Sequence, residues 1–152
     1  MTTETTRERT AENVRQFSIF TANRMGRLYD VFSSLERQKV HVLGFTVLDT
    51  TDSAIIRLVV DDPEQARGLL LQHGFPFTES ELVVVEFDYT TDVSRMMAAF
   101  LEAELNINYL YSFIPHPRGK SLLALSLEDN EIAEQILKRH QFRVLKQADL
   151  SR

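Results

Sequence analysis

The sequence predicts an α+β protein made of two consecutive copies of one split βαβ unit, each running strand, helix, strand, strand, helix, strand, with helices on one face of an antiparallel sheet. Two observations carry that expectation. Apolar positions recur at a nearly constant offset along the whole chain, and within each copy helical and extended spacings alternate in the same order. The composition agrees: 152 residues, 43% hydrophobic and 26% charged, with five Gly and four Pro, is globular and allows one domain or two small ones sharing a core.

Residues 1–13, rich in Thr, Glu and Arg, read as a flexible tail too polar to be a signal peptide. The first copy then spans residues 14–80 and the second 81–152. Phe17-Ser18-Ile19-Phe20 is set against Leu82-Val83-Val84-Val85 at an offset of 65. Leu28, Val31, Phe32 and Leu35 have the spacing of one helix face and recur as Val93, Met96, Met97 and Phe100. The next strand, Val40-His41-Val42, overlies Leu105-Asn106-Ile107. Between Pro115 and Lys120 the second copy gains two residues over Thr50 to Ser53, so Ala54 to Val60 maps onto Ser121 to Leu127 at an offset of 67.

Asp62 and Asp129 are predicted helix N-caps, with Pro63 at the first helical position. Ala66, Leu70, His73 and Phe75 recur as Ala133, Leu137, His140 and Phe142. Little chain remains for the last strand of the first copy, so Phe77 to Val85 must end one copy and begin the next, as a long strand or a bent pair. Poor alternation in Val83-Val84-Val85 predicts a central, buried strand. The topology is ferredoxin-like, and the exposed edges of the two sheets allow them to join side by side.

Several chemistries are excluded or disfavoured. Without Cys there is no disulfide, zinc-thiolate or thiol nucleophile. A net charge of −5 argues against nucleic acid, and no apolar run approaches the length of a membrane span. His41, His73, His116 and His140 lack metal-ligand spacing, and His73 and His140 fit the C-terminal ends of helices. Asp61-Asp62 and Glu128-Asp129 are explained by helix capping. Tyr109, Tyr111 and Phe113 alternate as packing aromatics. No Ser-His-Asp order or nucleophile elbow occurs. A cytoplasmic protein without cofactor or metal is expected.

The segment Asn23-Arg24-Met25-Gly26-Arg27-Leu28, after a strand and opening a helix, resembles the Asn-x-Pro-Gly-x-Leu signature of ACT domains, the amino-acid-sensing modules of metabolic enzymes. Leu105-Asn106-Ile107 resembles that family's Gly-Val-Asn-Ile segment. The resemblance covers residues 14–149 and departs at Met25, where Pro is usual. The chain is similar to stand-alone tandem ACT proteins and, less closely, to the small regulatory subunit of acetolactate synthase. It implies a non-enzymatic sensor that binds a free amino acid between its two repeats and signals by changing association, with a homodimer or a biosynthetic enzyme as partner. In ACT pairs that join through their second strands, it further implies that Asn23 and Gly26 face Asn106 and Asn108, while the loop around Asp88 faces His41.

The residues support an anion site independently. Gly at a strand-to-helix turn admits a ligand to the backbone, and the first helical amides are unpaired donors at the positive end of the dipole. Together they favour a carboxylate. Arg24 and Arg27 add positive charge, and Asn23 can hydrogen-bond a carboxylate or an ammonium group. The equivalent second loop has Asp88 and Asp92, which repel an anion. Two alternatives stand beside this reading. Gly26 ends a strand while Asn23 caps the helix, or the fold carries an acylphosphatase-like hydrolase, for which Arg24 is present but the surrounding motif is not.

Overall fold

A computed structural model describes residues 12–22, 25–88, 91–114 and 120–151. The strands are β1 (Val14–Ala22), β2 (Val42–Asp49), β3 (Ser53–Val60), β4 (Phe77–Phe87), β5 (Ile107–Ser112), β6 (Ser121–Leu127) and β7 (Arg143–Leu145). The helices are α1 (Met25–Arg37), α2 (Pro63–Gln72), α3 (Thr91–Glu102), α4 (Asn130–Arg139) and the short α5 (Gln147–Leu150). This is the expected pair of βαββαβ repeats, with β4 ending the first and beginning the second. The chain forms two compact units, built on Arg15–Ser80 and Glu81–Asp149, residues 12–14 belonging with the latter.

In the Arg15–Ser80 unit, β3 lies between β1 and β2, all antiparallel, with Ile19 opposite Ile56 and Phe45 opposite Leu58. The first half of β4 completes the sheet beside β1, where Gln16 donates to Ser80 Oγ at 3.1 Å. Alternation along the strands puts Phe17, Ile19, Ile56, Leu58 and Val60 on one face. There they pack with Val31 and Leu35 of α1 and Ala66, Leu69 and Leu70 of α2. Asp62 caps α2 by accepting from Gln65 N at 3.2 Å, and Pro63 opens the helix without sacrificing a needed donor.

The Glu81–Asp149 unit repeats this plan with β7, β4, β6 and β5 in order, so the buried run Val83 to Val85 lies between β6 and β7 as alternation predicted. Its core joins Val83, Val85, Phe87, Met96, Phe100, Leu125, Ala133 and Leu137. Asp129 caps α4, accepting from Ile132 N at 3.1 Å. Local irregularities are repeated as well. Lys39 (φ 58°) recurs as Glu104 (φ 55°), and Gly74 (φ 69°) as Gln141 (φ 66°). Both second strands shift register at matching points, between Val42 and Gly44 and between Ile107 and Tyr109. Glu12 and Asn13, assigned to the tail from sequence, are tied to this unit by Gln147 N donating to Glu12 O at 3.1 Å and Lys146 Nζ to Asn13 Oδ1 at 2.6 Å.

The alignment of the first strands needs correction. Phe17, Ile19 and Thr21 sit opposite Leu58, Ile56 and Ala54, whereas Val83, Val85 and Phe87 sit opposite Leu125, Leu123 and Ser121. The strand offset is therefore 66, not 65. A slip of one residue exchanges the two faces of a strand, and a strand apolar on both faces, such as Leu82 to Val85, hides the slip from the sequence. The helices keep their offset of 65, so the stretch from Thr21 to Leu28 is one residue longer than its counterpart from Phe87 to Val93.

Candidate functional site

The ACT-like signature falls within that longer stretch, between Thr21 and Leu28. Asn23 and Arg24 lie outside the described residues. Met25 opens α1 and is 78% exposed. Gly26 lies in the first helical turn, not at the end of a strand, and its φ is not in the left-handed region. A Cβ built there would meet nothing within 4 Å, so Gly26 is neither a turn residue nor packed against a neighbour. It borders open space at the positive end of the helix. Leu28, by contrast, packs on the core and holds the helix down.

Arg27 is positioned rather than loose. Its guanidinium lies 4.6 Å from the centre of the Phe75 ring and its Nη1 3.8 Å from Asp30. The second repeat holds the same pair with charges exchanged: Asp92 sits in the first turn of α3 and pairs at 3.3 Å with Arg95, whose guanidinium lies 3.9 Å from the centre of the Phe142 ring. The exchange reverses the charge facing the dipole. Glu64, Asp92 and Glu131 occupy the first turns of α2, α3 and α4, but α1 has no acidic residue there. A cation in a first turn is unfavourable by roughly 0.3 to 1 kcal/mol, and an incoming carboxylate offsets that.

Asn106 precedes β5 and donates to Glu128 Oε2 at 3.5 Å, while Glu128 N donates to Asn106 O at 3.2 Å. The first repeat makes the same clamp more tightly: Asp61 accepts from His41 N at 2.8 Å and contacts His41 Nδ1 at 2.7 Å. Asn108 is exposed at the irregularity of β5, where the first repeat has Leu43. Asp88 pairs with Lys120 at 2.9 Å, and that hydrogen bond raises the lysine pKa above its usual value. His73 and His140 are the C-cap residues of α2 and α4. Residues 115–119, His116 among them, lie outside the described residues.

One residue near α1 is not marked by any sequence signature. Thr21, near the end of β1, is 8% exposed, and its hydroxyl has no hydrogen-bond partner among the described residues. At an offset of 65 it aligns with Glu86, as one polar residue with another. Only the structural offset of 66 sets it against the core residue Phe87.

Fold and repeat together define a tandem ferredoxin-like α+β module. The ACT domain pair model matches residues 12–152, and the chain belongs to that family. Among solved structures it is similar to protein BT0572 from Bacteroides thetaiotaomicron, at 22% identity and a TM-score of 0.82, covering 93% of this chain and 97% of that one. The ligand-free regulatory subunit of aspartate kinase from Thermus thermophilus follows at 17% identity and 0.59, with coverages of 85% and 91%. Aspartokinase III from E. coli, in complex with lysine and aspartate, has 17% identity and 0.50, with 91% of this chain covering 31% of that one. No curated protein matches the sequence. Among the described residues, no helix is long and apolar enough to cross a membrane.

Proposed function

We propose that this protein is a non-enzymatic sensor that binds a free amino acid at the start of α1 and answers by changing its association. The single observation carrying this reading is the charge at that helix end. Arg27 replaces the acid found in the twin, beside a glycine that leaves the backbone open. Backbone donors of the first turn, Arg24 and Arg27 hold the carboxylate, and Asn23 the ammonium group or side chain. Asn106 and Asn108 are proposed as further ligand contacts. The lysine and aspartate held by the structurally similar aspartokinase III are in keeping with an amino-acid ligand.

Association with a second copy is proposed as the output, in the cytoplasm. Edge strand β2 has one neighbour, β3, among the described residues and exposes Phe45, Val47 and Leu48, the pattern of a strand open to pairing. Likeness to an aspartate kinase regulatory subunit favours a second reading, in which the partner is a biosynthetic enzyme.

Thermal unfolding against each of the twenty free amino acids at millimolar concentration tests the sensor. One or a few should raise the midpoint by several degrees, since a ligand at 100 times its Kd adds about 2.7 kcal/mol. Gly26→Asp, which the open space admits, should abolish the response by placing an anion on the dipole. No shift from any amino acid sinks the reading. Sedimentation with and without the responding amino acid then reads self-association, and co-purification of a large enzyme would favour the second reading.

A further inference from the structure

We infer that self-association joins like edges: β2 of one copy pairs antiparallel with β2 of a second copy in a closed two-fold dimer, and the charges flanking the strand turn it away from β5. The inference rests on the reading of association with a second copy as the output, and it names the surface and the rule of pairing. β2 and β5 each have one strand neighbour among the described residues. Phe45 and Val47 sit opposite Leu58 and Ile56, as their counterparts Leu110 and Ser112 sit opposite Leu125 and Leu123. The two edges are unequally apolar. β2 exposes Phe45, Val47 and Leu48, whereas Leu110 is the one large hydrophobic residue exposed on β5. Phe45 also meets Phe32 of α1 at 5.2 Å, so the apolar surface continues from strand to helix. Edge strands that stay single are defended by lysine, proline, an inward charge or a bulge. From Val42 to Leu48 β2 has no charge and no proline, and its register shift lies between Val42 and Gly44, ahead of the exposed residues.

Charge lies at the ends of this run and differs in sign between them. Arg37 and Lys39 precede β2, Asp49 ends it and Asp52 follows in the turn to β3, all four exposed. Antiparallel pairing sets the start of one strand beside the end of the other. Two β2 strands centred on Phe45 or Thr46 therefore bring Lys39 of each copy to residues 51–53 of the other, the turn that carries Asp52. Symmetry makes that attractive contact twice. The start of β5 has the opposite sign. Glu102 and Glu104 precede it, and Glu104 (φ 55°) is the left-handed counterpart of Lys39 (φ 58°). β2 paired antiparallel with β5 of another copy would set Asp49 and Asp52 beside Glu102 and Glu104, and like charges so placed count against the pairing. Joining unlike edges is also the arrangement that leaves an edge free at each end and grows without closing. One matched position with opposite charges thus selects a closed dimer over an open chain.

Sedimentation of the full chain at low salt, alone and with each of the twenty amino acids, tests this. The largest species should be a dimer. Val47→Lys should abolish it, and Ser112 at the matching position shows that a polar residue suits this place in the repeat. Lys39→Glu copies Glu104 at the same backbone angle, and Asp52→Lys falls in a turn held by Thr50 and Ser53. Each should raise the dimer Kd about tenfold, since each reversal acts at two contacts, while the double variant should return to within roughly threefold of wild type. The losses of the single variants should shrink at high salt. Assemblies that grow beyond a dimer with concentration, or a double variant no tighter than the singles, would overturn the charge-selected pairing. A dimer that survives Val47→Lys would overturn the assignment to β2 while leaving association as the output. A wild type that stays monomeric under every condition would overturn the association reading, and this inference with it.

Discussion

The two repeats differ in two distinct ways, and the contrast separates scaffold from site. Where α2 crosses the last strand of its repeat, Arg67 donates to Glu79 at 2.8 and 2.6 Å. At the equivalent positions of the second repeat, Glu134 of α4 receives Lys146 at 2.7 Å. Both charges have been exchanged and the cross-link is kept, so the contact matters and its polarity does not. Arg27 and Asp30 against Asp92 and Arg95 form a second exchanged pair, but this one lies along a helix axis, where polarity has consequences. Thr21 against Phe87 is not compensated at all, since its neighbour Ala54 is also small. Compensated differences are spread over the scaffold, while the oriented and uncompensated ones gather where β1 meets α1.

Replacing Phe87 by Thr gives the second repeat the first repeat's residue and should have the largest effect. Loss of a buried aromatic from a packed core costs about 3 kcal/mol or more, read as a lower urea midpoint at unchanged slope. A cost below about 1 kcal/mol would mean that the Phe87 ring is not the core anchor that its edge-on contact with Phe142 implies.

That alignment marks the limit of what the sequence discloses. Helix faces such as Leu28, Val31, Phe32 and Leu35 are legible because a period of 3.6 admits only one phase, and Asp62 and Asp129 are legible because capping needs a particular side chain. The strand Leu82 to Val85 is apolar on both sides, so its phase is invisible until Val83 and Val85 are seen against Leu125 and Leu123. The candidate loop was found by its signature. Thr21, outside that signature, emerges only when pairing shows which face it shares.

Exchanging charges one at a time should produce the next largest effect. Glu79→Lys places a third cation beside Arg67 and Arg15, and Arg67→Glu sets two carboxylates together. Each should destabilise, whereas the double variant copies Glu134 and Lys146 and should recover most of the loss. A double-mutant cycle is expected to return a coupling of ~1 to 2 kcal/mol; a coupling near zero would make the exchange incidental.

Acid should weaken both cross-links, by less. Hydrogen bonding from Arg67, outweighing burial, holds the Glu79 carboxyl below its usual pKa of 4.5. Burial raises that of Glu134, but hydrogen bonds from Lys146 and Lys138 together bring it below the usual value. With folded-state pKa values depressed, the unfolded chain takes up protons first as pH falls. The contribution is thus complete above the unfolded value and is lost as pH falls through the folded one. Partial exposure limits it to roughly 1 kcal/mol or less for each group. Glu79→Gln should be less stable than wild type at neutral pH, and its urea midpoint should fall less steeply between pH 5 and pH 3. Parallel curves would show that Glu79 carries no pH-dependent stability.

Gly26→Ala should have the smallest effect on stability and a diagnostic sign. Gly within a helix is less stable than Ala by roughly 0.5 to 1 kcal/mol, and less than that in a first turn. Nothing lies within 4 Å of the added Cβ, and no left-handed backbone has to be kept. Folding alone would therefore favour Ala here, as it would at Gly68. If the amides of this turn receive a carboxylate, a methyl group beside them should raise the unfolding midpoint by a degree or two without ligand while reducing the shift that the responding amino acid produces. Gly68, inside α2 and with equal room for a Cβ, supplies the control: Gly68→Ala should stabilise without touching the ligand response. If both variants behave alike, the open space at Gly26 is an accident of the first repeat; if they diverge, the helix start of α1 has been kept open at the expense of stability.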